Sequence, residues 1–362
     1  MVEKKDKQNR RILVAMSGGV DSSVTAAVLK QQGYDVEGVT LLLHEQGDHP
    51  RRHIEDAQKV AAIIGVPHHV LDLRKEFLKN VIGDLADTYA KGETPNPCAR
   101  CNKMIKFGAL ISMAREIGAA ALATGHYARL VAGKEGTELH CAEDKTRDQS
   151  YFLFLASQEQ LDFLRFPLGE MKNKAETRIQ AERFGLPVAA KPDSQDICFV
   201  PSGDYAGLVE RLRPEAASPG DIVDEAGNTL GQHNGIIYFT VGQRRGINIS
   251  GREGDNNEPL YVVRLNAEKK QVVVGPKASL MQKEVYLHDV NWLGGDVPEE
   301  GIAVKVKLRS AQSPAEATFQ MLGAGRGLIT LAEAAFGIAP GQAGVIYDGT
   351  RVLGGGWIER KN

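Results

Sequence analysis

An α/β fold with a parallel sheet is predicted for residues 1–205, followed by a small central domain at 206–280 and an antiparallel β-barrel at 281–362. Three observations predict it. Short apolar runs alternate with helical patterns from Arg11 to about Gly125; a loop rich in Gly and Ser sits at the first strand-to-helix junction; and after Gly203 the pattern changes to short alternating segments cornered by Gly and Pro.

Taken in order, residues 12–16, 36–43, 69–73 and 119–124 are compact apolar runs that read as strands. Helical stretches at 22–32, 54–64 and 104–117 are followed by Gly33, Gly65 and Gly118, where a left-handed cap is expected. Strands joined by helices must cross over, which makes their pairing parallel. Between Lys91 and Cys98 the segment GETPNPC carries Pro95 and Pro97, and a stiff loop is expected there. A further helix at 174–184 stops at Gly185 and Pro187, and 189–203 reads as loop. The turn signal DEAGN at 224–228 separates two short apolar runs. Strands then follow at 261–265, 271–274, 303–308, 315–321, 344–347 and 351–353.

A chain of 362 residues exceeds one small domain, at roughly 150 residues each. With 42% hydrophobic and 25% charged residues it has the composition of a globular protein rather than a disordered tail. Its 44 Lys and Arg against 46 Asp and Glu leave a net charge of −2, which excludes a polycation that coats nucleic acid but allows local basic faces. No apolar run approaches the ~20 residues of a membrane-spanning helix. The polar start, residues 1–11, lacks the apolar core of a signal peptide, so a cytoplasmic location is expected. Four cysteines (Cys98, Cys101, Cys141 and Cys198) are too few for a disulfide framework and direct attention to reactive or metal-bound thiols.

Ser17-Gly18-Gly19-Val20-Asp21-Ser22-Ser23 lies between the strand ILVAM and the following helix. Backbone N–H groups converge at such a junction and the helix dipole adds positive charge, so the loop suits a phosphate. Ser17 and Ser22 can donate hydroxyl hydrogen bonds, while Asp21 suits a Mg²⁺ that bridges phosphates. No Lys is present, so this is not a Walker A loop. The plainer alternative is an ordinary turn with Asp21 as a helix cap.

The order SGGVDS resembles the PP-loop of the ATP pyrophosphatase superfamily, whose members split ATP between the α and β phosphates and leave AMP on a substrate oxygen. TPNPCARCN at 94–102, ATGHYAR at 123–129, DQSYFL at 148–153 and DSQDICF at 193–199, with VGQRRG at 241–246 and PGQ at 340–342, closely resemble the tRNA-specific 2-thiouridylase family in order along nearly the whole chain. The resemblance implies ATP-dependent thiolation at C2 of the wobble uridine of tRNA. It implies that Ala15, Met16, Ser17, Gly18, Gly19, Val20, Asp21 and Ser22 hold the ATP phosphates, that Leu41 offers its backbone to adenine, and that Gly125 lets the nucleotide approach. Leu41 stands where the family often has Met.

By motif position the resemblance makes Cys198 the persulfide carrier and Cys101 the thiol that attacks it, leaving a Cys101–Cys198 disulfide to be reduced. A cysteine desulfurase or a sulfur-relay protein would load Cys198. Cys101 opens a predicted helix, whose dipole is expected to lower its thiol pKa, and Cys198 lies in a polar loop that suits an exposed sulfur. Cys141 reads as a small buried hydrophobe without a role. The resemblance sets Asn96, Pro97 and Cys98 around the flipped base, and His126, Arg147, Asp148, Gln149, Arg309, Ser310 and Gln342 on tRNA. His126 alone would read as a satisfied core histidine. Arg147 replaces the family's usual Lys.

Cys98 departs from the commonest form of the motif, which has Asp there. Cys98, Cys101 and Cys198 are therefore also candidate ligands of a [4Fe-4S] cluster that could carry hydrosulfide, beside the persulfide route. Candidate basic patches are Lys103 and Lys106, Lys172 and Lys174, Arg244 and Arg245, and Lys305, Lys307 and Arg309. Two rival readings are an amide-forming synthetase that adenylates a small carboxylate, which needs no pair of reactive thiols, and a non-catalytic protein with Cys98 and Cys101 as half a zinc site, which lacks a second ligand pair.

Overall fold

In chain order the elements begin β1 (Arg11–Ala15), α1 (Val20–Gln31), β2 (Asp35–Leu42), α2 (Arg52–Ile64), β3 (His68–Asp72), α3 (Arg74–Phe77), α4 (Gly83–Ala90), α5 (Pro97–Cys101), α6 (Leu110–Glu116), β4 (Ala121–Ala123), β5 (Ala128–Ala132), β6 (Thr137–Cys141), α7 (Gln158–Phe163), β7 (Leu164–Arg165), α8 (Lys174–Arg183) and α9 (Tyr205–Leu212). This computed structural model describes residues 10–44, 51–193, 197–200, 203–247, 249 and 259–360. The chain divides into two units. One takes the residues up to Val81, Cys98–Phe199 and Asp348–Leu353; the other takes Ile82–Pro97, Val200–Tyr347 and Gly354 onward.

The first unit is built on a parallel sheet in the order β3-β2-β1-β4-β7, as the alternating pattern predicts. Central β1 buries Ile12, Leu13 and Val14 completely or nearly so, because helices cover both faces of a crossover sheet. Val14 lies opposite Gly38 of β2 and Ala123 of β4. Val24, Ala27, Val36, Val60 and Ala123 share one core with it, so α1 and α2 are fixed to the sheet by apolar burial. Since β1 leads to β2 on one side while β4 pairs on the other, the strand order reverses beside β1; ligands of open α/β sheets bind at the strand C-termini of such a switch point.

Two differences from the expected helix bounds bear on the site. α1 starts at Val20 because Gly19, in extended conformation, is its N-cap. The loop expected up to Cys98 ends at Pro97, which opens α5: a first-turn residue needs no N–H donor, so Pro is tolerated there. From Pro97 the helical conformation continues through a π-helical stretch, Asn102–Ala109, into α6. The hairpin β5–β6, with Arg351 paired opposite His140, was not legible in the sequence.

The second unit continues with β8 (Gly220–Val223), β9 (Thr229–His233), β10 (Tyr261–Asn266) and β11 (Gln271–Gly275), in the order β10-β11-β8-β9. Asp224 accepts from the Asn228 backbone and side-chain nitrogens, both at 2.8 Å, which makes the predicted DEAGN turn. The β11–β8 pairing is parallel, against the antiparallel expectation, because a long connection rather than a hairpin joins them. β12 (Met281–Trp292), β13 (Ile302–Lys307), β14 (Ala315–Gly323), β15 (Arg326–Phe336), β16 (Ala343–Asp348) and β17 (Arg351–Ile358) form the expected antiparallel barrel, ordered β12-β15-β14-β13-β16-β17 and closed where Leu287 faces Ile358. Leu287, Val306, Phe319, Ile329 and Val345 fill its interior. Among the described residues no helix is long and apolar enough to cross a membrane.

Candidate active site

The loop from Met16 to Gly19 leaves β1 at the switch point. Met16 N donates to Val39 O at 2.8 Å, and Thr40 Oγ1 donates to Met16 O at 2.7 Å, so the loop's first peptide is held by β2. Gly18 has φ +70°, and a Cβ there would lie 2.2 Å from the His53 carbonyl oxygen; only Gly fits. Ser23 Oγ donates to Gly19 O at 2.8 Å, while Ser22 Oγ accepts from Ser17 N at 3.0 Å and lies 3.2 Å from Ser17 Oγ. The Ser22 hydroxyl is thus used to shape the loop rather than left to donate outward, as the sequence reading expects. No side chain caps the α1 N-terminus, whose amides remain for an anion.

Gly125 follows β4 against this helix start, where a Cβ would lie 2.9 Å from Ser22 N. Close packing of the two loops is therefore reason enough for Gly. The Leu41 carbonyl, half-buried, lies 3.4 Å from His53 Nε2. Lys191 Nζ holds the Gly18 carbonyl at 2.8 Å and Asp56 at 2.8 Å; its hydrogen bond keeps the Asp56 carboxyl below the usual carboxylate range.

Asp21 faces a group that the sequence reading does not collect. Tyr127 OH donates to its Oδ1 at 2.7 Å and Lys174 Nζ to the same oxygen at 2.5 Å, while Oδ2 has no partner among the described residues. Burial, joined by the Asp21 charge, pushes the Tyr127 phenol up, so it remains a donor. Lys174 also lies 3.2 Å from Asp193 Oδ1, which Arg178 approaches at 3.0 Å, and Arg147 meets Asp193 Oδ2 at 2.8 Å. Burial raises the Asp193 carboxyl, but the Lys174 hydrogen bond and the charges of Lys174, Arg147 and Arg178 outweigh it and hold the group low. Asp193 and Tyr127 fall inside quoted motifs. Lys174 has no local signal beyond opening a predicted helix, and its expected place on a basic RNA-facing patch is corrected: its side chain is only 11% exposed.

The thiols lie elsewhere in the same unit. Cys98 and Cys198 keep exposed surface and Cys101 is buried. Burial raises all three thiol pKa values and pushes Cys198 up to about 11; the Cys101 and Cys98 charges add to that rise, and Lys106 opposes it. The three sulfurs and Lys106 thus share one electrostatic neighbourhood. The expected lowering at Cys101 fails because Cys101 ends α5 within a continuous helical run, buried, instead of opening a helix. A π-helical stretch begins at the next residue, Asn102, a backbone irregularity frequent at functional sites. Cys141 is half-buried, with Sγ 3.6 Å from Ser150 Oγ.

Other expected contacts have local partners. His126 packs edge-on between Phe107 and Phe166, its Nδ1 2.7 Å from Thr124 Oγ1, and burial holds it neutral. Asp148 accepts from Ala142 N and from Ser150 N and Oγ, and Gln149 Oε1 accepts from Tyr127 N at 2.9 Å, so both organise their own loop. Asn96 and Pro97 are buried. Gln342 donates to Pro95 O at 3.1 Å and to Thr94 O at 3.4 Å, bracing the TPNP segment within the second unit. Arg309 is exposed and donates to Gly337 O; Ser310 is exposed beside it. Lys305 is paired with Glu316 at 3.0 Å. Ser194, Gln195 and Asp196 of the DSQDICF motif lie outside the described residues.

Residues 10–202 match the family model described as the tRNA methyl transferase HUP domain, 208–276 the tRNA methyl transferase PRC-barrel domain, and 282–358 the aminomethyltransferase beta-barrel domain. The tRNA-specific 2-thiouridylase MnmA of Rhodospirillum centenum is 54% identical over 98% of this chain and 93% of its own length. Those of Paracoccus denitrificans and Parvibaculum lavamentivorans are 53% and 52% identical, over 97% and 98% of this chain and 92% of each relative. The chain belongs to the tRNA-specific 2-thiouridylase family. As a thiouridylase-family member it carries a loop that fits the phosphates of ATP, with uncapped amides and a cradle that a Cβ at Gly18 would fill. The free Oδ2 of Asp21 fits one Mg²⁺ contact, the usual share of a single carboxylate when phosphates supply the rest. The cluster expectation does not fit: among the described residues no three His, Cys, Asp or Glu side chains come together as a metal site, and all three thiols are biased toward their protonated forms.

Proposed function

We propose that this protein is a tRNA-uridine 2-sulfurtransferase that adenylates the C2 oxygen of the wobble uridine and replaces it with sulfur. The division at 1–205, 206–280 and 281–362 then assigns adenylation and thiolation to the first part and RNA contact to the other two. A uracil oxygen is a poor leaving group; linked to AMP it departs, opening C2 to a sulfur nucleophile. ATP is held by the Ser17–Ser22 loop, with Asp21 Oδ2 directed to Mg²⁺ and Leu41 to the adenine.

Sulfur arrives as a persulfide on Cys198, loaded by a cysteine desulfurase or a sulfur-relay protein. The Cys101 thiolate attacks the Cys198 sulfur, the Cys198 S–S bond breaks, and hydrosulfide leaves toward C2 as AMP departs. A Cys101–Cys198 disulfide remains and is reduced by an external thiol. The observation that carries this reading is that Cys198 feels the charge of Cys101, 97 positions away in the chain, which adds to the rise of its thiol pKa. Asn96, Pro97 and Cys98 border the target base, and His126, Arg147, Asp148, Gln149, Arg309, Ser310 and Gln342 contribute to tRNA binding. For His126, Asp148, Gln149 and Gln342 that contribution includes loop shape, since each has a side-chain atom bonded within the protein.

The test is mass spectrometry of nucleosides from tRNA incubated with the enzyme, ATP, Mg²⁺ and a persulfide donor, together with the release of labelled AMP. The expected result is 2-thiouridine and AMP in equal amounts, both dependent on tRNA. AMP formed without tRNA, on a small carboxylate, would favour the amide-forming synthetase instead.

A further inference from the structure

The nucleotide loop contains no cation, yet it must hold a triphosphate beside the carboxylate of Asp21. We propose that Lys174 is the phosphate-binding cation of this site, delivered from α8 and held next to the loop by Asp21 and Asp193. This deepens the reading of the loop as an ATP site and rests on it.

Lys174 Nζ lies 2.5 Å from Asp21 Oδ1 and 3.2 Å from Asp193 Oδ1, with 11% of its side chain exposed. It also lies 5.5 Å over the ring of Tyr127, whose hydroxyl fixes the same Asp21 oxygen. A lysine so withdrawn from water is kept only where carboxylates compensate it. Helix stability does not explain its place: Lys174 is the first residue of α8, where the helix dipole disfavours a cation and favours an acid such as Glu176.

Charge around it points the same way. Lys174, Arg147 and Arg178 converge on Asp193, and with Asp21 the group has three cations and two carboxylates, a surplus of one positive charge next to an anion-binding loop. Asp193 keeps both arginines if Lys174 turns away. Asp21 would likewise stay compensated, since its carboxylate would hold the Mg²⁺ that accompanies the phosphates. Lys174 can therefore move from carboxylate to phosphate without leaving a buried charge unpaired. Lys191, the other lysine at the loop, is occupied by the Gly18 carbonyl and Asp56.

The experiment is calorimetric titration of the full chain and its Lys174→Met, Lys174→Gln and Lys174→Arg variants with ATP, with inorganic tripolyphosphate and with adenosine. Methionine and glutamine should each weaken ATP and tripolyphosphate by about 10- to 100-fold, the range for a charge-assisted contact, with adenosine unchanged. Arginine should restore most of the loss. Glutamine retains a donor to Asp21, so it covers the case in which methionine does not fold. Wild-type ATP affinity in either neutral variant, or an equal loss for adenosine, would make Lys174 a strut and overturn the proposal. If the unmodified chain binds adenosine but neither ATP nor tripolyphosphate, the ATP reading fails and takes this one with it.

Discussion

Ser17, Gly19 and Ser22 lie within six consecutive residues and hold one another, whereas Cys98, Cys101 and Cys198 are gathered from two distant segments and share only an electrostatic environment. The first arrangement is mostly local: a strand end, a helix start and short polar side chains shape it, and Val39, Thr40 and Lys191 hold it from outside. The second depends on long-range packing, which also desolvates the sulfurs and keeps them protonated. A phosphate cradle can be permanently formed because it carries nothing reactive. A sulfur relay benefits from thiols that stay inert until a partner or substrate changes their surroundings.

The largest expected effect tests whether the two regions are separable. Asp21→Asn should abolish AMP formation and leave tRNA affinity within about twofold, because it removes the carboxylate proposed to meet Mg²⁺ and none of the proposed RNA contacts. AMP release at the wild-type rate would break the comparison. Cys198→Ser should do the reverse, with AMP formation retained and no 2-thiouridine made from a persulfide donor. A normal yield of thiolated nucleoside from that variant would show that another sulfur is the carrier.

A finer measurement addresses the protonated thiols. With its pKa near 11, Cys198 should be alkylated about tenfold faster for each pH unit between roughly 7 and 10, read by mass spectrometry of the modified peptide. A rate that levels off near pH 8.5 would mean an ordinary thiol. The same shift has a stability consequence of definite sign. The folded chain holds the Cys198 proton more tightly than the unfolded one, so this contribution is present below the ordinary value of 9.0 and is lost as pH rises toward 11. Tm should therefore fall over that window more in the wild type than in Cys198→Ser. The smallest effect is expected at Cys141: Cys141→Ser preserves a polar contact with Ser150 and should leave both half-reactions within about twofold, measured by the same two assays.

The contrast also explains what could be read from the sequence. The strand and helix pattern of the first sheet was legible because its period is local, and the strand-to-helix turn at SGGVDS because a few consecutive residues shape it. The three-part architecture was legible from the change of pattern after Gly203. Strands β12 and β15 were missed because their buried and exposed positions alternate irregularly, with register shifts after Gln282 and Met321. Lys174, Arg178 and Asp193 could not be assembled because their meeting point is tertiary. The electrostatics at Cys101 were misread for a related reason: a Pro that looked like a helix breaker opens α5, so the thiol sits inside the helical run.

Chain order has one more consequence, for synthesis. Residues 82–97 join the unit that is otherwise made later: Asp87 meets Arg213, 126 positions onward, and Pro95 accepts from Gln342, 247 positions onward. The nascent chain can form its parallel sheet and phosphate loop while the ribosome is still at work, but the segment leading into Cys98 has to wait for the carboxyl-terminal end. A prematurely terminated product would then carry the SGGVDS loop with the approach to its thiol helix unsecured. Completion of the polypeptide itself becomes a condition for securing that segment, and excising residues 1–205 as a separate piece would strand the buried faces of Ile82 and Leu85 without the unit they fold into.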